Sequence, residues 1–90
     1  MKLASVEIKA ARKAVPNWAK RGATISRTFV FKDFREAMKF VNAVAKIAER
    51  DRHHPDIDVR WNKVTLALTT HDVGGLTQND FDLAQKFNRL

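Results

Sequence analysis

Three histidines, His53, His54 and His71, carry the most distinctive chemistry of this chain and lie close together in the sequence. Imidazole gains and loses a proton near neutral pH, so a cluster of these rings can serve as both acid and base. The chain contains no cysteine, which excludes disulfides, thiolate nucleophiles and cysteine-based zinc sites. No serine occurs in the pattern of a hydrolase nucleophile. The histidines are therefore the candidate catalytic residues.

Spacing alone leaves three interpretations of these histidines open. They could be polar surface or helix-capping groups, because perturbed or clustered titratable residues also occur for structural reasons. They could bind a metal ion, but adjacent His53 and His54 point in different directions and no carboxylate is placed as an obvious further ligand. They could transfer protons in catalysis.

The surrounding sequence predicts helices and strands in the order α-β-β-α-β-β-α. The predicted elements are a helix at 4–14 capped by Ser5, strands at 18–23 and 24–31, a helix at 34–52, strands at 57–61 and 64–69, and a last helix capped by Thr77. Helical spacing of apolar residues, caps and period-two alternation support these assignments. We therefore expect an α+β fold, a four-stranded antiparallel sheet with three helices on one face.

Two finer predictions concern the long helix and the last hairpin. Asp33, with Glu36 three residues later, forms a capping-box pattern at the start of the helix. Asn62-Lys63 is the predicted tight connection between the third and fourth strands. The main apolar stripe of the helix is predicted to be Phe34, Met38, Val41, Ala45 and Ala48, widened by Ala37, Phe40, Val44 and Ile47.

The predicted topology brings the histidines together. His53 and His54 lie at the end of the long helix, where Pro55 forces the chain out of the helical conformation. His54 thus precedes the third strand, and His71 follows the fourth. Because antiparallel neighbours have their opposite termini at the same end, we expect His54 and His71 to meet at one edge of the sheet.

Length and charge set further expectations. The 90 residues predict a single domain over 1–90, and no apolar run reaches the length of a membrane span, so we expect a cytoplasmic protein. The net charge is +7, with 12 basic and 4 acidic residues in 1–50 and 5 basic and 6 acidic residues in 51–90. No nucleic-acid-binding motif accompanies these charges, which favours a solvated basic face. Unpaired edge strands predict a homo-oligomer, a dimer or a tetramer.

Several short segments around the histidines occur in a characteristic order. They are Glu49 to Pro55, Asp56, Trp61 to Val64, Thr70-His71, Gly74 to Thr77 and Asp80, preceded by Trp18 and by Phe29 to Phe34. In this order and spacing they resemble the pterin-4a-carbinolamine dehydratase family over residues 15–87. Trp61 stands where the family more often has tyrosine, and the basic bias of the first half lies outside the resemblance.

The resemblance implies a hydro-lyase that converts a 4a-hydroxytetrahydropterin to the quinonoid dihydropterin and water, with no metal and no redox cofactor. It implies His53, His54 and His71 as the catalytic group. The residues that it implies for binding or shaping the substrate pocket are Glu49, Pro55, Trp61 and Thr70. Two alternatives stay open: a non-catalytic role as a dimerisation or coactivator-type binding protein, and a role in molybdopterin metabolism.

Overall fold

The computed structural model describes all 90 residues and contains the predicted order of elements. The elements are α1 (Ser5–Arg12), β1 (Ala19–Arg21), β2 (Thr24–Val30), α2 (Phe34–Asp51), β3 (Asp56–Arg60), β4 (Lys63–Leu68), a 3₁₀ turn (His71–Val73) and α3 (Gln78–Asn88). All strand pairs are antiparallel, and the spatial order in the sheet is β1-β2-β4-β3. The predicted α+β architecture is confirmed, and β1 and β3 are its outer strands.

One face of the sheet carries the hydrophobic core. Alternate residues of β2 and β4 are buried there, among them Ile25, Leu66 and Leu68, because successive side chains of a strand point to opposite faces. They share a core cluster with Ala37, Phe40 and Val44 of α2 and with Phe81, Ala84 and Phe87 of α3. The other face carries small polar side chains such as Thr28 and Thr65, whose hydroxyls are 2.8 Å apart. The helices therefore cover one face only, as predicted.

The Asp33 cap of α2 is confirmed, but the Glu36 side chain pairs with Lys39 at 3.0 Å and does not complete the predicted capping box. The predicted main stripe is wrong except at Ala48, because residues predicted only to widen it form most of the buried face. Asp33 Oδ1 accepts a hydrogen bond from the Glu36 N–H at 2.9 Å, as a helix cap should. The buried residues are Ala37, Phe40, Val44 and Ala48, whereas Phe34 is 50% exposed and Ala45 is exposed. The two stripes have the same helical period, so periodicity cannot distinguish them. Packing does, because the ring of Phe40 lies between those of Phe29 and Phe31, with centroids 4.6 and 4.9 Å away.

The boundaries of α1 differ slightly from the prediction. Ala4, not Ser5, is the N-cap residue, because the Glu7 carboxylate reaches back and accepts the Ala4 N–H at 2.8 Å. Regular α-helix ends at Arg12, and the chain continues to Val15 in turns whose N–H groups bond carbonyls three residues earlier. This tightening into 3₁₀ geometry is common at helix ends.

The strands that follow α1 are shorter than predicted. β1 begins at Ala19, because Trp18 is buried in the core and its indole donates to Asn88 Oδ1 at 2.8 Å. β2 ends at Val30. The next residue, Phe31, donates its N–H to the Asn62 carbonyl at 2.8 Å, beyond the ladder between β2 and β4.

The β3–β4 hairpin turns one residue earlier than predicted. Arg60 pairs with Lys63, so the connection is Trp61-Asn62 rather than Asn62-Lys63. Asn62 is held by the end of β2, where its side-chain amide donates to the Phe31 carbonyl at 2.8 Å. Trp61 has a φ of 50°, a left-handed conformation that is uncommon for a large side chain.

An ion pair ties the end of α2 to α3. Lys86 Nζ lies 2.5 Å from Asp51 Oδ2, and Arg50 Nε lies 3.1 Å from Asp51 Oδ1. The hydrogen bond from Lys86, and then that from Arg50, lowers the pKa of Asp51 below its usual value of 3.8. A carboxylate with a lowered pKa stabilises the folded chain above its unfolded-state pKa, and this contribution is lost as pH falls through the folded-state pKa.

We therefore expect Asp51→Asn to lower the melting temperature at pH 7, because the amide cannot form the ion pair with Lys86. The difference from wild type should begin to shrink as pH falls below 3.8, where the unfolded chain takes up a proton on Asp51, and it should continue to shrink toward the lower folded-state pKa. Thermal unfolding followed by circular dichroism from pH 7 to pH 3 measures this. Asp82→Asn is the matched control, because Asp82 is exposed and bonds only the Gln78 amide. A constant difference at all pH values would contradict the ion-pair explanation.

Candidate active site

The first two histidines are positioned by the way α2 ends. Arg52 takes a left-handed conformation with φ 54°, the conformation that commonly stops a helix. The N–H of the next residue, His53, then donates to the Ala48 carbonyl at 3.1 Å. This bond closes the helix end and turns the chain sharply, so that His53 and His54 leave the helix axis before Pro55 and β3.

The third histidine reaches the same place from β4. Asp56 at the start of β3 pairs with Ala67 near the end of β4, so the residues before β3 lie beside those after β4. A hollow of about 210 Å³ opens there, and its lining is entirely polar: Arg52, His53, His54, Thr69, Thr70, His71 and Asp72. The expectation that His54 and His71 meet at one edge of the sheet is confirmed.

A buried carboxylate lies behind His53. Asp80 is 0% exposed and its Oδ1 is 2.6 Å from His53 Nε2. Its Oδ2 accepts the Thr70 hydroxyl at 2.8 Å and the Thr77 N–H at 2.9 Å. Asp80 lies in the first turn of α3, where the helix dipole favours negative charge. The carboxylate thus has donors from three different segments of the chain.

These contacts determine which nitrogen of His53 carries the proton. A carboxylate can only accept hydrogen bonds, so Nε2 of His53 must be the donor to Asp80. This leaves Nδ1 as the ring nitrogen that can exchange a proton with another molecule. The same reasoning gives the direction of the hydrogen bond between the Thr70 and Thr77 hydroxyls. The Thr70 hydroxyl donates to Asp80, so in the 2.9 Å contact between the two threonines Thr77 is the donor.

The other two histidines are more open to solvent. His54 Nε2 lies 2.5 Å from Glu49 Oε2, and both side chains are largely exposed, by 62% and 77%. Glu49 can only accept, so this contact also leaves Nδ1 of His54 free. His71 is exposed and takes part in none of the ion pairs. The hollow therefore combines one rigidly held imidazole with two accessible ones.

The residues predicted to bind substrate are placed differently. Thr70 lines the hollow, but its hydroxyl is used by Asp80 and Thr77. Glu49 contacts His54 from outside the lining, and Pro55 follows His54 in the chain. Trp61 is not brought to the histidines. It lies at the far end of β3, about 16 Å along the strand at ~3.3 Å per residue, and is 66% exposed.

Sequence reasoning missed the role of Asp80 and the lining residue Arg52. In the sequence, Asp80 stands only among the segments that resemble the family and has no predicted part in the site. The signal was present, because a Thr-x-x-Asp pattern points the acidic side chain back toward the N-cap. What the pattern could not show is that Thr70 and His53 reach the same carboxylate. No group of three or more histidine or acidic side chains is arranged to hold a metal ion, and no helix is long and apolar enough to cross a membrane.

Sequence comparison identifies relatives along nearly the whole chain. The family model described as Pterin 4 alpha carbinolamine dehydratase matches residues 1–90. A provisionally named pterin-4-alpha-carbinolamine dehydratase of Thermomicrobium roseum is 55% identical over 76 residues, which cover 84% of this chain and 82% of the relative. Another, from Picosynechococcus sp., is 52% identical over 89 residues, which cover 99% and 97%.

Solved structures extend the comparison to the fold. A pterin dehydratase-like protein, identified as a RuBisCO assembly factor in the alpha-carboxysome, has a TM-score of 0.67 over 80% of this chain and 83% of its own, and its 16% identity shows the fold alone. The crystal structure of a transcriptional coactivator/pterin dehydratase from Brucella melitensis has a TM-score of 0.94 at 35% identity, over 99% of this chain and 97% of its own. The chain belongs to the pterin-4a-carbinolamine dehydratase family of hydro-lyases.

Proposed function

We propose that this protein dehydrates a 4a-hydroxytetrahydropterin to the quinonoid dihydropterin by histidine acid–base catalysis. The observation that carries the proposal is that three imidazoles line one hollow, with His53 oriented by a buried carboxylate. Family membership supports the substrate class. An elimination of water at neutral pH needs groups that can both give and take a proton, and imidazole does so in this range.

The reaction transfers two protons, one to the C4a hydroxyl and one from N5, and breaks one C–O bond. An imidazolium protonates the hydroxyl on C4a, the C4a–O bond breaks, and water leaves. A neutral imidazole accepts the proton from N5, and the electron pair of the N5–H bond forms the C4a=N5 double bond. Exchange with solvent then restores both histidines. Nδ1 of His53 and Nδ1 of His54 stay free of the carboxylate contacts, and together with the His71 ring they supply the groups required.

Asp80 acts through His53 as a positioning residue. Its contact with Nε2 holds the ring in one tautomer, and Thr70 and Thr77 hold the carboxylate itself. This support keeps Nδ1 available to the substrate, because a rotated ring or the other tautomer would present an N–H where an acceptor is needed. Rings fixed by a second set of hydrogen bonds are a general requirement of precise acid–base sites.

Trp61 acquires a place in the site only if two copies of the chain associate. β3 is an outer strand of the sheet, and pairing it antiparallel with β3 of a second copy about Asp58 would set Asp56 opposite Arg60 and Ile57 opposite Val59. The same register sets Trp61 of the partner subunit opposite Pro55, next to His54. Opposite charges and apolar pairs across strands are both favourable, although the two Asp58 carboxylates face each other.

A partner's Trp61 would supply what the hollow lacks. None of its lining residues is hydrophobic, whereas a flat fused-ring substrate binds best against an apolar or aromatic wall. Trp61 is exposed and holds an uncommon backbone conformation, a combination that often marks functional positions. In this proposal, the homo-oligomer expected from the sequence completes the substrate site.

A coactivator-type role is the second candidate. The relative from Brucella melitensis is described as a transcriptional coactivator/pterin dehydratase, so one chain of this fold is associated with both descriptions. A purely non-catalytic role would leave the histidine hollow and the His53–Asp80 contact without a use. The two functions separate experimentally, because only dehydration depends on the imidazoles.

The proposal predicts that the purified protein accelerates dehydration of a freshly generated pterin carbinolamine, measured by ultraviolet absorbance in a stopped-flow instrument. The rate should be unchanged by EDTA, because the imidazoles supply both proton transfers that accompany cleavage of the C4a–O bond. His53→Ala and His71→Ala should each lower kcat by about 10²–10⁴-fold, the range of general acid–base assistance. Arg89→Ala, at the exposed C-terminal end of the chain, is the control. Wild-type turnover by either histidine variant at saturating substrate would remove that residue from the mechanism.

The positioning role of Asp80 predicts a specific failure in Asp80→Asn. If its side-chain amide faces Nε2 as a donor, His53 is forced to carry its proton on Nδ1, and kcat should fall by ~10²-fold or more while the ring stays in place. Nitrogen-15 NMR of labelled histidine reports the tautomer directly. Asp82→Asn on the same helix should change neither quantity. A folded Asp80→Asn protein with normal kcat would show that the carboxylate serves stability alone.

The edge-pairing model predicts a dimer or tetramer in sedimentation equilibrium at micromolar protein. Arg60→Asp should shift the mass toward the 10.3 kDa monomer, because it replaces both cross-strand ion pairs with like charges. Arg89→Asp changes the net charge equally and should leave the assembly intact. Trp61→Ala should keep the assembly but raise KM. A fully active wild-type monomer would exclude a contribution from a second copy.

A further inference from the structure

A second surface, on the other side of α1 from Glu7, is concave and strongly basic. A hollow of about 340 Å³ separates α1 from β1, and its lining is Ser5, Ile8, Lys9, Arg12 and Lys20. The first four fall on one face of α1, because they are spaced three and four residues apart, whereas Glu7 lies on the opposite face. Ile8 is partly buried against the core, so the basic side chains form the rim of the hollow.

One neighbouring hollow extends this surface and shares Ser5, Ile8 and Lys20 with it. It has a volume of about 190 Å³ and runs between Lys2 and the Gly74-Gly75 turn. No acidic residue lines either hollow. Both lie on the side of β1 that faces the helices, because Lys20 pairs with the buried Ile25. We call these two hollows together the Lys20 groove.

The basic residues of the Lys20 groove have no acidic partners. The ion pairs of the chain use Lys39, Arg50, Arg60 and Lys86 among the lysines and arginines, all of them outside the groove. Lys2, Lys9, Arg12 and Lys20 are exposed and belong to none of these pairs. A concave surface with charges of one sign concentrates counter-ions of the opposite sign. The groove therefore favours the binding of an anionic ligand.

The lining chemistry matches a phosphodiester backbone. Lysine, arginine and small hydroxyl side chains are the groups that contact nucleic-acid phosphates, and the groove combines Lys9, Arg12 and Lys20 with the hydroxyl of Ser5. No aromatic ring lines it, so unstacked bases have nothing to stack on. Its apolar residues are small or partly buried, which offers nothing to insert into a lipid bilayer.

We propose that the Lys20 groove binds the sugar–phosphate backbone of duplex nucleic acid without reading its sequence. In the sequence alone, the absence of a nucleic-acid-binding motif favours a basic face that contacts only solvent. The structure adds that the unpaired charges surround one concave, carboxylate-free surface. The groove shares no lining residue with the histidine hollow, so the proposal is independent of the dehydratase reaction.

Fluorescence anisotropy with a labelled 16-base-pair DNA duplex, titrated with the full chain, tests the proposal. Contacts from Lys2, Lys9, Arg12 and Lys20 to about four phosphates predict that log K falls against log salt with a slope of roughly −3.6. Affinity should then drop about 100-fold between 50 and 200 mM NaCl. Duplexes of different sequence should bind equally, and an RNA duplex in a parallel titration shows whether the groove prefers either backbone.

Lys9→Glu/Arg12→Glu should reduce the slope by about two and weaken binding at least tenfold at 50 mM NaCl. Arg35→Glu/Lys46→Glu is the matched control, because it changes the net charge equally at exposed positions of α2 outside the groove. Circular dichroism and the dehydration rate of both variants verify folding.

Three outcomes would overturn the proposal. Equal weakening by both double variants would mean that net charge alone drives association. Absence of duplex binding at 50 mM NaCl would leave the groove a solvated surface. Tighter, groove-dependent binding to vesicles containing 30% phosphatidylserine than to the duplex would identify a membrane-surface site instead.

Discussion

The buried carboxylate of Asp80 is the constraint on which both the fold and the histidine site depend. A charge without solvent is very costly unless hydrogen bonds replace its hydration. Here the donors are His53 after α2, Thr70 after β4 and Thr77 at the start of α3. Each comes from a different segment, so the three segments can meet in only one arrangement without leaving Asp80 unsatisfied. The orientation of the His53 ring is thereby linked to the stability of the domain.

The sheet separates the functional features of the chain. Its one end gathers the histidines because β3 and β4 are antiparallel, and its other end carries the Trp61-Asn62 turn. Its covered face forms the core, and the Lys20 groove lies beside α1 on the same side of β1, because Lys20 pairs with the buried Ile25. A small domain can thus present distinct surfaces without interference, because strand alternation assigns neighbouring residues to opposite faces.

Sharing this fold does not by itself establish a function, because the function depends on the residues of the site. A pterin dehydratase-like protein identified as a RuBisCO assembly factor shares the fold at 16% identity, and the fold alone would not distinguish it from a dehydratase. Folds are reused for unrelated purposes, whereas acid–base chemistry requires particular groups at particular distances. In this chain those groups are present: His53 against Asp80, His54 against Glu49, and His71 beside them in one hollow.

The sequence by itself determined the order of elements, the antiparallel sheet, the Asp33 and Thr77 caps and the meeting of His54 with His71, because each follows from local pattern and strand direction. Only the tertiary structure decided which stripe of α2 is buried, since Phe40 packs against the rings of Phe29 and Phe31, which helical periodicity cannot locate. It also decided that the last hairpin turns at Trp61 and that Trp61 lies far from the histidines of its own chain. Asp80 shows the reason most clearly. Its local pattern predicts a cap, but its role depends on donors 27 and 10 residues away, and such long-range contacts leave no periodic trace in the sequence.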